Sequence, residues 1–161
     1  MNLIELYEAQ RELDAYVGKN LGIDINAPEY VQKRVFALKV ELAEFANEVG
    51  WFKYWKQSHK MDWKRAAEEH ADVTHFFLSI GASRNYDKKV PELSPFVWQD
   101  IDKGSLFQKI MDNPLTNVLK WKAGFEHHIA LGMKLGFTIG EQKTYYYLKR
   151  QENFERQMRK Y

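Results

Sequence analysis

EYVQKRVFALKVELAEFANEVG (29–50) and DWKRAAEEHADVTHFFLSIG (62–81) are the two stretches that decide how this chain folds. In the first, Val31, Val35, Leu38, Leu42, Phe45 and Val49 recur every three or four residues, the period of one helix face. Asn26-Ala27-Pro28 opens it and Gly50 stops it, so a helix is expected from Glu29 to Val49. In the second, Ala66, Val73, Phe76, Phe77 and Ile80 form an apolar arc. Asp62 stands as N-cap and Gly81 as terminator, which predicts a helix from Asp62 to Ile80. Working outward, the same period predicts helices over Leu3–Val17, ending near Gly18, and Leu115–Leu135, ending at Gly136. A last helix begins near Thr138, with Glu141 three residues on as a capping box, and runs almost to Tyr161. Residues 83–104 contain Pro91 and Pro95 and little period, and read as an irregular loop. Strand-like alternation is almost absent. The expected fold is an all-α helical bundle forming a single domain over 1–161.

The bulk composition narrows the function classes. The chain has 161 residues, enough for one normal hydrophobic core, and almost half are apolar. A net charge of +2 is too mild to argue for a nucleic-acid partner. Without cysteine there is no disulfide framework, thiolate metal site or cysteine nucleophile. No apolar run approaches the ~20 residues of a membrane span. MNLIELYEAQREL at the start carries charges throughout, unlike a signal peptide, so a cytoplasmic protein is the expectation. Five Trp, nine Tyr and ten Phe are a heavy aromatic load, read first as core.

Charge placed against the apolar stripes is the informative feature. Glu41, Glu44 and Glu48 make a second stripe on the 29–49 helix, beside the apolar face, and alone would pass for a solvated flank. Glu69 and Asp72, however, fall inside the apolar arc of the next helix. A buried ionised carboxylate needs a positive partner. No Lys or Arg is read on the same face at those positions. Either a hard divalent cation bridges both helices, or distant Lys and Arg form a salt-bridge network. On the first helix, Gln10 and Asp14 sit one turn apart within the stripe of Leu3, Leu6, Tyr7, Leu13 and Val17. A buried amide there bonds neighbouring helices or reads a ligand edge. On the last helix, Lys149, Asn153, Arg156 and Lys160 share one face, with Gln157 beside them. Such a stripe is solvated or faces a polyphosphate.

Taken together, ELAEFANEVGWFKYW (41–55), EEHADVTHFFLSIG (68–81), the N-terminal Gln10…Leu13-Asp14 and the C-terminal Lys149…Asn153…Arg156-Gln157…Tyr161 resemble the dimeric all-α dUTPases. These occur in some bacteria, their phages and trypanosomatids, within an all-α nucleoside triphosphate pyrophosphatase superfamily marked by ExxE and ExxD. The resemblance does not extend over 83–115. It implies that Glu41, Glu44, Glu69 and Asp72 bind Mg²⁺, with Mn²⁺ as substitute, and that Glu44 is general base for a metal-activated water. It implies that His75 and Phe76 belong to the substrate pocket, the Phe76 ring packing on uracil, and that Gln10, with Asp14 near it, reads the base edge. Lys53, Tyr54, Trp55 and Lys56 would surround base and phosphates, and Lys149, Asn153 and Arg156 would close over the nucleotide. The family motif places Asn directly after the lysine, where this chain has Arg150.

The implied reaction is dUTP plus water to dUMP and pyrophosphate, with attack at the β-phosphorus and dUDP as a further substrate. The implied assembly is a homodimer whose active sites are built partly across the interface. Some phage members bind repressor proteins, but no pattern in this chain points to such a partner. Three other readings stay open: a dCTP-cleaving or MazG-like pyrophosphatase, a ferritin-like di-iron protein, and a non-enzymatic helical interaction protein. The di-iron class wants Glu-x-x-His on two helices, whereas only Asp72-x-x-His75 is present.

Overall fold

The computed structural model describes residues 1–159, so Lys160 and Tyr161 of the expected C-terminal stripe and motif lie outside the described residues. Among the described residues there are six α-helices and no strand: α1 (Ile4–Leu21), α2 (Pro28–Val49), α3 (Trp63–Ser83), α4 (Lys103–Asp112), α5 (Val118–Lys134) and α6 (Ile139–Met158). A 3₁₀ turn spans Pro95–Trp98, and an isolated bridge joins Asn2 to Glu92. No helix among the described residues is long and apolar enough to cross a membrane.

The helix ends follow local chemistry. Pro28 occupies the first turn of α2, where its missing N–H costs nothing, and Gly50 closes the helix at φ 66°. Asp62 caps α3 by accepting from the Arg65 N–H at 3.1 Å. Thr138 and Glu141 form the expected capping box of α6.

Two expected glycine stops are corrected. α1 runs past Gly18 and ends at Gly22, whose φ is 65°. α3 runs past Gly81 to Ser83. Both inner glycines serve close approach instead. A Cβ on Gly81 would lie 2.6 Å from Trp121 Cζ2 and 3.0 Å from the Tyr7 hydroxyl. The stretch read as an irregular loop and the unplaced 83–115 region are also corrected. They contain the 3₁₀ turn and α4, which Asp102 caps by accepting from the Ser105 N–H at 3.0 Å. With ten residues, of which Gly104, Leu106, Phe107 and Ile110 are buried, α4 is too short to show a period.

α3 is the hub, packing against α1, α2, α5 and α6, while α4 packs on α5 and α2. Phe45 of α2, Phe77 and Ile80 of α3, Trp121 and Phe125 of α5 and Tyr146 of α6 are fully buried together. Each such side chain contributes on the order of 1.5–3 kcal/mol by leaving water. The Trp121 indole also donates to the Phe77 carbonyl at 2.9 Å, tying α5 to α3.

Gly81→Ala separates two opposing effects. Helix propensity alone would stabilise α3 by about 1 kcal/mol. Contact with the packed Trp121 ring should outweigh this and leave the variant less stable by about 1–3 kcal/mol in urea unfolding. A variant more stable than the parent would show that the crossing is loose.

Candidate active site

A cavity of about 690 Å³ opens between α1, α2, α3 and α6. This volume suits a ligand of a few hundred daltons. α2 supplies Glu41 and Glu44, and α3 supplies Glu69 and Asp72. One carboxylate oxygen from each of Glu41, Glu69 and Asp72 falls within 4.8 Å of the others. Glu44 is exposed on the cavity wall, outside that triad. Glu48 turns away, 3.7 Å from Arg65.

Gathering acids in a half-buried space disfavours their ionised form. Burial, then the charges of Asp72, Glu44 and Glu69, push the Glu41 carboxyl up to about 7. Burial, followed by Asp72 and Glu44, raises Glu69 as well. Burial raises Asp72, against the opposing pull of Lys149. The positive partner that the sequence demanded comes from α6: Lys149 Nζ lies 2.9 Å from Asp72 Oδ2, and 3.3 Å from Glu152. Asn153, Arg156 and Gln157 continue the α6 wall. Arg150 does not line it. Its guanidinium donates to the Ala9 carbonyl at 3.0 Å, pairs with Glu12 and lies over the Phe154 ring, holding α6 to α1.

The cavity's other wall is mixed. Leu13, Val17, Ile23 and Ile25 give it an apolar lining, and half-buried Phe76 joins from α3. Asp14 accepts from the Ser79 hydroxyl at 2.6 Å and from Gln10 Nε2 at 2.8 Å. Burial raises the Asp14 carboxyl, while those two bonds and the charges of Arg34 and Arg11 oppose the rise. Gln10 is 3% exposed, its Oε1 lying 3.1 Å from the Tyr146 hydroxyl and 2.8 Å from His75 Nδ1. His75 is thus engaged by Gln10 and Tyr146, not by the carboxylate cluster.

Of the residues singled out from the sequence, the cavity brings together Gln10, Asp14, Glu41, Glu44, Glu69, Asp72, His75, Phe76, Lys149, Asn153 and Arg156. Lys53, Tyr54, Trp55 and Lys56 do not line it. They sit in the α2–α3 connector, where Tyr54 is 92% exposed and Lys53 donates to the Asn47 carbonyl at 2.6 Å.

The sequence reading missed Arg34, Ser79, Tyr30, Lys33 and Tyr146. Arg34 is buried, contacts the carbonyls of Ser79 and Ile25, and bears electrostatically on Asp14. The signal was present: Arg34 precedes Glu41 by seven residues and Ser79 follows Asp72 by seven, two turns along the same face. Tyr146 precedes Lys149 by three residues and Asn153 by seven, on the same side of α6, and that spacing was its signal.

No curated protein and no solved structure matches the chain. What does match it, over residues 2–161, is the model of the dUTPase family, and the chain belongs to that family.

Proposed function

We propose that this protein is a Mg²⁺-dependent dUTP diphosphatase that hydrolyses dUTP to dUMP and pyrophosphate and also accepts dUDP. The observation that carries the reading is the meeting of Glu41, Glu69 and Asp72 within 4.8 Å, in a cavity with cationic residues on the facing helix, in a chain of the dUTPase family.

The donor set fits the ion. All three ligand atoms are hard carboxylate oxygens, the type that Mg²⁺ and Mn²⁺ prefer. The three oxygens, within 4.8 Å of one another, would hold one such ion between α2 and α3. Glu41, Glu69 and Asp72 would hold the ion, with Glu44 joining from beside them. Bound there, Mg²⁺ would lower the pKa of a water and offset phosphate charge.

Glu44 is the general base, since it is the exposed member of the acidic set and stands on the cavity wall rather than inside the triad. Lys149 and Arg156 offset charge building on the phosphates as water attacks the β-phosphorus and dUMP departs, Lys149 moving there from Asp72. Phe76 packs on the uracil ring, Gln10 and Asp14 read its edge, and Asn153 closes over the nucleotide.

The homodimer is part of the proposal. Phe36 and Leu119 are 72% and 75% exposed, and the connector is an exposed aromatic and basic ridge. Against a second copy, Lys53, Tyr54, Trp55 and Lys56 become available to the partner's nucleotide. The continuous core from Leu3 to Tyr146 supports treating 1–161 as one domain.

Pyrophosphate release from each deoxynucleoside triphosphate tests the reaction. dUTP should be cleaved fastest, only with Mg²⁺ or Mn²⁺, and oxygen from labelled water should enter pyrophosphate rather than dUMP. A preference for dCTP would transfer the chain to the cytosine-cleaving reading. Glu44→Gln should lower kcat by about 10²–10⁴ with an unchanged melting temperature, as removal of a general base does. Near-normal turnover would remove Glu44 from that role.

The acidic cluster also sets a pH signature. A carboxyl whose pKa is raised in the fold holds its proton more tightly folded than unfolded. Its contribution is complete below the ordinary carboxylate range and is lost as pH rises through about 7 for Glu41. Metal ligation needs the ionised form. The rise in melting temperature on adding Mg²⁺ should therefore be small near about pH 5 and large near about pH 8. Calorimetric scans showing the same rise at both pH values would count against metal binding at this cluster.

A further inference from the structure

Lys149 has two carboxylates within reach and one charge to share between them. Its ammonium lies 2.9 Å from Asp72 Oδ2 on α3 and 3.3 Å from Glu152 Oε2 on its own helix. The other oxygen of Glu152 takes the Arg156 guanidinium. One carboxylate of α6 thus holds two cations, one on each oxygen. It does so from the surface, since its side chain is 46% exposed against 17% for Asp72. Lys149 and Arg156 line the cavity, and Glu152 does not.

The pairing with Asp72 conflicts with metal binding. Asp72 is one of the three acids whose oxygens meet within 4.8 Å. A divalent ion drawing on either Asp72 oxygen sets its charge close to the Lys149 ammonium, where burial limits screening by water. Ammonium and ion therefore compete for one carboxylate. The ammonium has a second place to go. Glu152 already touches it, so rotation about the Lys149 side-chain bonds completes a transfer with α6 unmoved. Arg156, on the far oxygen, holds that carboxylate in place.

Building on the metal part of the dUTPase reading, we propose that Lys149 has two stations, Asp72 before a divalent ion binds and Glu152 after it, and that Glu152 is the positioning residue that takes Lys149 off Asp72. Glu152 acts through Lys149 and touches neither ion nor nucleotide. The transfer carries a positive charge from the acidic cluster to the α6 wall that Asn153 and Arg156 continue. One movement clears the metal site and readies the phosphate site, which couples the two ligands positively.

Mn²⁺ binding, read from the electron paramagnetic resonance signal of the free ion, needs no turnover. Near about pH 8 the solution lies above the value of about 7 for the Glu41 carboxyl. Lys149→Met removes the competitor and should tighten Mn²⁺ binding at least about fivefold there. Glu152→Gln keeps the side-chain shape, leaves Lys149 on Asp72 and should weaken Mn²⁺ binding about threefold or more. The double variant separates this relay from a direct pull of the Glu152 charge on the ion. In the Lys149→Met background, Glu152→Gln should leave Mn²⁺ affinity unchanged. An equal loss in both backgrounds overturns the proposal, and so does a Lys149→Met variant that binds Mn²⁺ no more tightly than the parent. Should Lys149→Met fail to fold, Glu152→Gln on the exposed side of α6 decides alone, and unchanged or tighter binding overturns the proposal. A protein that shows the expected pattern yet hydrolyses no nucleotide sinks the dUTPase activity and upholds the two stations. One that hydrolyses dUTP with Mg²⁺ while the two substitutions leave Mn²⁺ affinity untouched sinks the stations alone.

Discussion

Repulsion among carboxylates in a half-buried space is the constraint on which the rest of this structure turns. Glu41, Glu69 and Asp72 bring three oxygens within 4.8 Å. Two unit charges about 4 Å apart repel by about 4 kcal/mol at an effective dielectric of 20. The fold answers in three ways. It raises the proton affinity of the acids, with burial the largest cause. It leaves Glu44 exposed, where water screens it. It also brings Lys149 from the far end of the chain onto Asp72. A cluster held in this way is compatible with a divalent cation.

That arrangement requires α3 to be buried on nearly every side. Its apolar residues pack on α5 and α2, and Ala66, Ala71 and Gly81 let the neighbouring helices come close. Glu69 and Asp72 therefore open onto the one flank where α1, α2 and α6 leave a cavity. Packing and chemistry are coupled here: the helix that organises the core also carries half of the acidic set. The same dependence explains the role of α6. Tyr146 anchors it in the core while Lys149, one turn on, faces the carboxylates.

The buried acid of α5 is met by hydrogen-bond donors rather than by other acids. Glu126 is buried on α5 but accepts from the Ser94 N–H at 2.9 Å and the Trp98 indole at 3.3 Å, and it lies off the cavity. His70 and His128 stack at 3.8 Å within the core, and burial holds both pKa values down. The Gln10 network differs because one end of it reaches the cavity.

Much of this was legible in the residues themselves. Periodicity in 29–49 and 62–80, and the caps at Asp62 and Thr138, mark local structure, because backbone hydrogen bonding and capping act over one turn. Glu69 and Asp72 inside an apolar arc announce a site for the same reason, since their angle on the helix follows from spacing alone. Gly18 and Gly81 misled as helix stops because a glycine's local freedom and its lack of bulk are the same in sequence, and only a neighbour such as Trp121 shows which is used. Lys149 as partner of Asp72, Arg34 beside Asp14 and Tyr146 behind Gln10 belong to contacts between helices far apart in the chain. The sequence by itself determined which helix faces are apolar and which acids interrupt them. Only the tertiary structure decided which charges and hydroxyls answer those acids, because crossing geometry depends on side-chain volumes summed over the whole core, not on spacing along any one helix.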